Sequence, residues 1–356
     1  VGHRQTCCRR SEEGGTVKNL PGMNTPALAQ FLRESGIELV GDLRVELISG
    51  GRSNLTFKAY DDKSAWVVRR PPTSGLTPSA HDMAREWAVT SALQSTAVPV
   101  AETVAFDAEG TVLGAPMTVV GFDPGRVIRT RTDLESLSDE QIAANTAELI
   151  RVLAALHDVD YEAVGLGSFG KPDGFVGRQV KTWSRQWERV KTRELPDVEK
   201  LREKLAANIP SRSASSIVHG DYRVDNVILK ADDPGSIAAV VDWEMSTLGD
   251  PLTDVALMCV YRQPIFDDVL GVSAAWTSSR YPSADDLAEQ YSRRSGTALS
   301  DWNFYIALAN FKLGVIGEGI TYRALAGSDT GSGASTAAEA THEFMAAGLR
   351  ALDGRQ

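Results

Sequence analysis

Between residues 43 and 121 the apolar positions mostly alternate with polar ones. "LRVELIS" (43–49), "NLTFKAY" (54–60) and "AWVVRR" (65–70) are short runs rich in β-branched and aromatic residues, set apart by turn residues. They predict three strands in a meander. In "SAHDMAREWAVTSALQ" (79–94) the spacing becomes helical, with Ser79 as N-cap and Met83, Trp87, Ala88 and Leu93 near one face. "AETVAFD" and "APMTVVGF" return to strand character, so the first third reads β-β-β-α-β-β.

Beyond Pro124-Gly125 the pattern is mainly helical. "SDEQIAANTAELIRVLAALHDV" (138–159) opens on Ser138, and Ile142, Leu149, Val152, Leu153 and Leu156 recur at helical spacing. Further helices are predicted near 179–191, 197–208, 252–262, 284–295, 301–325 and 335–352. Between them lie short strands: "SIVHGD" paired with "NVILK", and "IAAVVDWE". "GSDTGSGAS" (327–335) reads as a flexible loop. The predicted organisation is α+β: a disordered tail (1–23), a sheet-rich lobe (24–121) and a helical lobe (122–356). A cleft between two such lobes is a usual place for a small ligand.

Composition narrows the function. The 356 residues are 42% hydrophobic and carry a net charge of −10, which leaves no basic footprint for nucleic acid. Cys7, Cys8 and Cys259 cannot build a disulfide framework, and no Cys/His cluster has zinc spacing. That usage fits a reducing, cytoplasmic setting. No apolar run approaches the ~20 residues of a membrane span, and the start has no secretory signal pattern.

The chemistry concentrates in "IVHGDYRVDNVILK" (217–230). His219, Asp221 and Asn226 fit the His-x-Asp-x-x-x-x-Asn spacing of a kinase catalytic loop, with Gly220 where that template has Arg. Asp242 follows the apolar "AAVV" and opens "DWE", at the place of the template's metal-binding Asp. Phosphoryl transfer needs magnesium to offset phosphate charge, and magnesium takes a few oxygen ligands from the protein. Asn226 and Asp242 supply such oxygens, and Asp221 is the candidate base for a hydroxyl proton. His219 reads as a residue that holds the loop. Asp225 reads as loop-stabilising, with metal ligation as the alternative.

Together "IVHGDYRVDNVIL" and "VVDWEMSTLGDPLTDVA" closely resemble the aminoglycoside phosphotransferase family of choline-kinase-like small-molecule kinases, over about residues 40–325. The resemblance implies a bilobal protein-kinase-like fold, ATP or GTP as donor, Mg2+, and a small-molecule hydroxyl as acceptor. It implies that Gly50, Gly51, Ser53 and Asn54 form the turn over the nucleotide phosphates; this is not a Walker loop, because no Gly-Lys-Ser/Thr follows. Arg69 stands where the kinase strand carries Lys, Arg70 is its neighbour on the other strand face, and either can face the cleft. Glu86 is the expected helix partner. Backbone groups of Val120, Gly121, Phe122 and Asp123 would read the base. By the same resemblance Asp250 braces the catalytic loop and Asp254 caps or anchors the next helix, although Asp250 with Pro251 also suits an N-cap. His157 reads as a core histidine.

A finer likeness lies in "SGGRSNLTF", "VVRRPP", "VHGDYRVDN" and "DWEMSTLGDPLTD". These resemble the subfamily fused to, or found beside, acyl-CoA dehydrogenases, which implies a hydroxyacyl thioester as acceptor. Residues 160–210, with Trp183, Arg185, Trp187, Arg189, Lys191 and Arg193, are candidates to cover an acyl-CoA or to form an ordinary amphipathic insert. An antibiotic kinase and a nucleotide-binding pseudokinase scaffold are the competing functions. A protein kinase is disfavoured: there is no Ala-Pro-Glu segment and almost no chain between "DWE" and "GDP".

Overall fold

The computed structural model describes residues 20–49, 54–73, 82–327, 333 and 336–354. The N-terminal part opens with α1 (Thr25–Glu34), capped by the Asn24 side chain, a helix the strand-centred reading of this region did not anticipate. Then come β1 (Arg44–Ser49), β2 (Leu55–Tyr60), β3 (Ala65–Arg70), α2 (Met83–Leu93), β4 (Thr103–Asp107) and β5 (Met117–Gly121). The five strands form one antiparallel sheet in the order β1-β2-β3-β5-β4, with the expected meander on one side. Phe57 lies opposite Val68, and Val68 opposite Val119, all three with no exposed surface. Leu28 and Leu32 of α1 pack onto this core, and Leu20 and Met23 add to it, so the segment expected as tail is ordered from Leu20 onward. Residues 1–19, predicted as tail, lie outside the described residues, as do Ser79 and most of the predicted loop 327–335; Asp82 caps α2.

The remainder is mostly helical. In order it comprises β6 (Gly125–Arg126), α3 (Arg131–Glu135), α4 (Asp139–His157), α5 (Phe175–Val190), α6 (Pro196–Ala207), β7 (Ser216–Val218), β8 (Val227–Lys230), β9 (Ile237–Val240) and β10 (Thr247–Gly249). It ends with α7 (Leu252–Val260), α8 (Phe266–Leu270), α9 (Ala284–Ser295), α10 (Trp302–Leu325) and α11 (Ala337–Leu352). The α4 start is a full capping box, Ser138 with Gln141. The helices share a large apolar core that includes Val89 and Leu93 of α2. Thus α2 belongs by sequence to the sheet part but buries one face in the helical part.

One pairing differs from expectation. β7 pairs antiparallel with β10, while β8 pairs with β9 and β6. The segment between β7 and β8, which carries His219, Asp221 and Asn226, therefore crosses from one small sheet to another instead of closing a hairpin. Gly220 is in the left-handed region (φ 83), and a Cβ there would sit 2.7 Å from the Met245 carbonyl oxygen. That contact explains why Gly stands where the kinase template has Arg.

Candidate active site

The crossing loop is fixed from beneath. Asp254 on α7 accepts from the backbone N–H of His219 (2.6 Å) and of Gly220 (2.8 Å). His157 Nε2 lies 3.3 Å from the same carboxylate, and its Nδ1 is 2.7 Å from the Tyr291 hydroxyl. Burial alone would raise the Asp254 pKa, but His157, His219 and these donors hold it below the usual carboxylate range. Asp250 instead accepts from the Leu252 N–H and the Tyr305 hydroxyl at the head of α7. The roles implied by the resemblance are thus exchanged: Asp254 braces the loop, and Asp250 serves the helix start, as its place before Pro251 suggests. His157 is a core residue, but one spent on Asp254 and Tyr291.

His219 is fully buried. Its Nδ1 accepts from the Asp221 N–H at 3.2 Å and its Nε2 sits 3.0 Å from the Val241 carbonyl, which ties the loop to the strand end before Asp242. Asn226 donates through Nδ2 to the Asp221 backbone carbonyl (2.7 Å) and to Asp221 Oδ2 (2.9 Å). Asp221 Oδ1 accepts from the Tyr261 hydroxyl and, at 3.4 Å, from Arg223 Nε. Burial works to raise the Asp221 pKa, yet Arg223, the Tyr261 hydroxyl and Lys312 outweigh it and hold the carboxylate ionised. Arg223 also pairs with Asp225 and lies over the Tyr261 ring at 5.2 Å. Asp225 is therefore engaged in holding Arg223.

Asp242 stands at the start of a single 3-10 turn with φ 67, a left-handed conformation that costs a non-glycine residue and is kept where the surroundings enforce it. Arg69 on β3 pairs with Glu86 on α2 and places Nη2 3.8 Å from Asp242 Oδ1. Strand alternation separates the two arginines. Arg70 shares the buried face with Trp66 and Val68 and donates to the carbonyls of Gly22 (2.5 Å), Leu113 (2.8 Å) and Pro71 (3.2 Å). Arg69 alone of the pair reaches the Asp242 side. Burial, together with the Asp242 charge, raises the Glu86 pKa against the opposing pull of Arg69. Arg85, one residue earlier, donates to the Ser246 carbonyl and the Phe169 carbonyl, both at 2.9 Å, and lies over the Phe169 ring. It ties α2 to the helical part beside Asp242.

Of the remaining sequence candidates, Gly50, Gly51 and Ser53 lie outside the described residues. Asn54 is buried just before β2. Val120 lies within β5, paired to Val67. The N–H of Gly121 is taken by the Glu102 carbonyl and that of Phe122 by the Ala65 carbonyl, so carbonyl groups and the Asp123 N–H are what this segment can offer a base. Half-burial and nearby Glu102 raise the Asp123 pKa.

Sequence reasoning missed Arg223, Tyr261, Arg85 and Lys312. A signal existed for the last: "IALANFKLGVIG" (306–317) is an apolar helical run interrupted by one charge. Lys312 on α10 donates to the Gly220 carbonyl at 2.7 Å. Of the 160–210 candidates, Trp183 lines a cavity beneath the catalytic loop, Trp187 is core, Lys191 pairs with Glu188 and Glu194, and Arg193 with Glu318.

The donor set suits magnesium: an amide oxygen from Asn226 and a carboxylate from Asp242, all oxygen, few in number and beside an arginine fit for phosphate. Among the described residues no group of three or more His, Cys, Asp or Glu is placed to hold a metal by itself. None of the described helices is long and apolar enough to cross a membrane.

Residues 44–288 match the phosphotransferase enzyme family. Acyl-CoA dehydrogenase family member 10 of Mus musculus is 31% identical over 333 residues, 92% of this chain and 31% of that protein. Member 11 of Gallus gallus is 34% identical over 311 residues, 85% of this chain and 39% of that protein. The chain thus spans about a third of the length of these curated relatives. A Ralstonia eutropha crystal structure, provisionally described as an aminoglycoside phosphotransferase, superposes with TM-score 0.80 at 32% identity, covering 94% of this chain and 99% of that one. A thermostable mutant of aminoglycoside phosphotransferase APH(4)-Ia, in a ternary complex with ADP and hygromycin B, shares the fold at TM-score 0.59 and 17% identity over 90% of this chain and 98% of that one.

Proposed function

Because the chain belongs to the phosphotransferase enzyme family, we propose that it moves the γ-phosphoryl group of ATP to a hydroxyl of an acyl thioester, with Asp221 as the acceptor-side base. The observation that carries this reading is the joined set Asn226–Asp221 and Arg69–Glu86 with Arg69 turned to Asp242. Asn226 and Asp242 would hold magnesium, which when bound offsets the charge of the donor phosphates. Arg69, fixed by Glu86, steadies those phosphates through its remaining donors.

Asp221 Oδ2 has spent one lone-pair direction on Asn226 and keeps another for the acceptor hydroxyl. The hydroxyl oxygen forms a bond to the γ-phosphorus, the bond to the β–γ bridging oxygen breaks, and its electron pair leaves with ADP. The hydroxyl proton passes to Asp221 and then to solvent. A carboxylate held below its usual pKa is a weak base, so its main contributions are alignment before transfer and late proton capture.

The thioester acceptor is supported by the likeness to proteins named acyl-CoA dehydrogenases, in which a domain like this one occupies about a third of the chain. The test is a transfer assay with Mg-ATP and two panels, 4-hydroxyacyl-CoA thioesters and aminoglycosides. Phosphate ester on the thioesters alone is expected; transfer to aminoglycosides alone would overturn the acceptor assignment and keep the kinase.

A further inference from the structure

The cavity beneath the catalytic loop has an unusual charge balance. It is lined by Gly220, Met245, Trp183, Phe175, Asp254 and Lys312, among others. Among the described residues Asp254 is the only carboxylate in its lining, and both oxygens are occupied by the His219 and Gly220 N–H groups and by His157. Lys312 is the only cation among the described residues that line it. One of its three donors goes to the Gly220 carbonyl, and Nζ lies 5.5 Å over the Trp183 ring. A polycation entering this space would meet an ammonium beside a carboxylate already engaged, so that apart from Asp221 itself no unspent negative charge stands there to offset it. A carbonyl or anionic oxygen would instead meet an unspent N–H.

We propose that Lys312 is the specificity-determining residue for the acceptor: its ammonium donates to a carbonyl oxygen of the acceptor chain while Trp183 covers the adjoining methylenes. This inference rests on the reading of the preceding section that the acceptor carries an acyl group. It adds the residue that recognises that group and the reason an amine-rich acceptor is refused. Lys312 also reaches the backbone carbonyl of the residue before Asp221, so recognition and positioning of the base share one side chain.

The test compares two probes, S-(4-hydroxypentanoyl)pantetheine and the thioether in which its carbonyl is replaced by a methylene. Binding to the full chain in the presence of Mg-ADP is measured by calorimetry for wild type, Lys312→Met and Lys312→Arg. Wild type should prefer the thioester by about tenfold to a hundredfold, the worth of one charge-assisted hydrogen bond. Lys312→Met should abolish the preference by weakening the thioester far more than the thioether, while Lys312→Arg keeps part of it. A merely structural lysine would weaken both probes equally, which overturns the proposal; so would equal binding, or no binding, of the two probes by wild type. Preferential binding that Lys312→Met abolishes, without phosphate transfer from Mg-ATP, would sink the kinase reading and keep Lys312 only as the residue that recognises a bound acyl carbonyl.

Discussion

The two walls that meet at Asp221 are built on opposite electrostatic plans. On the donor wall, Asp242, Glu244 and Glu86 crowd around one arginine, and partial burial together with Asp242 pushes Glu244 up to about 7. That surplus of carboxylate is what a site for a cation-bound polyphosphate needs. On the wall proposed for the acceptor the carboxylate of Asp254 is already spent, and a lining of apolar and neutral polar side chains carries the ammonium of Lys312. Phosphate chemistry is the same for every member of a kinase family, so the donor wall can be built from a short motif. The acceptor differs, and in the reading proposed here its wall would be built from single side chains on α5, α7 and α10.

If this division is correct, substitutions should separate by wall. The largest effect is expected at the junction. Asp221→Ala should lower turnover by about 10²–10⁴-fold, measured by steady-state transfer, with Mg-ATP affinity within a few-fold of wild type. On the donor wall, Asp242→Ala should weaken Mg-ATP binding by no less than the roughly 10–100-fold typical for loss of a supporting metal contact, read by calorimetry, with thioester binding retained. Next come the neighbouring arginines. Arg69→Met should weaken Mg-ATP binding by about tenfold, while Arg70→Met should leave it unchanged and cost about 2–3 kcal/mol of stability in denaturant unfolding, because three carbonyls lose their buried donor. A reversed pattern would show that the strand faces have been read the wrong way round. The smallest effect is expected for Arg85→Met, which unties α2 from Ser246 and Phe169 and should raise the ATP KM by roughly threefold to tenfold.

The same division explains how much was legible before the structure. The meander, α4 with its Ser138 cap, and the ends of α9 could be read because each depends on local spacing and capping chemistry. The loop "HGDYRVDN" and Asp242 could be singled out on motif spacing, and the structure joins Asn226 to Asp221 and sets Asp242 beside Arg69. The β7–β10 pairing could not, since nothing local tells "SIV" to pass over its nearer neighbour "NVILK" for "TLG". Nor could the loop-bracing role of Asp254, although the helix-start role of Asp250 was offered by Pro251: both sit near the start of α7, and one helical turn decides which carboxylate faces the loop. The choice between Arg69 and Arg70 was open in the sequence because alternation says only that they face apart. Lys312 is distant in sequence from everything it touches, and its one trace was a charge inside an apolar helix.

The central claim is that Asp221 joins these walls in a phosphoryl transfer to a hydroxyl. The most direct measurement is 31P NMR of a reaction containing the chain, Mg-ATP and a 4-hydroxyacyl thioester, run beside Asp221→Ala. A phosphate monoester resonance that grows with ADP in the wild type and stays absent in the variant is the predicted result. ADP and inorganic phosphate without ester, or equal ester formation by both proteins, would contradict it.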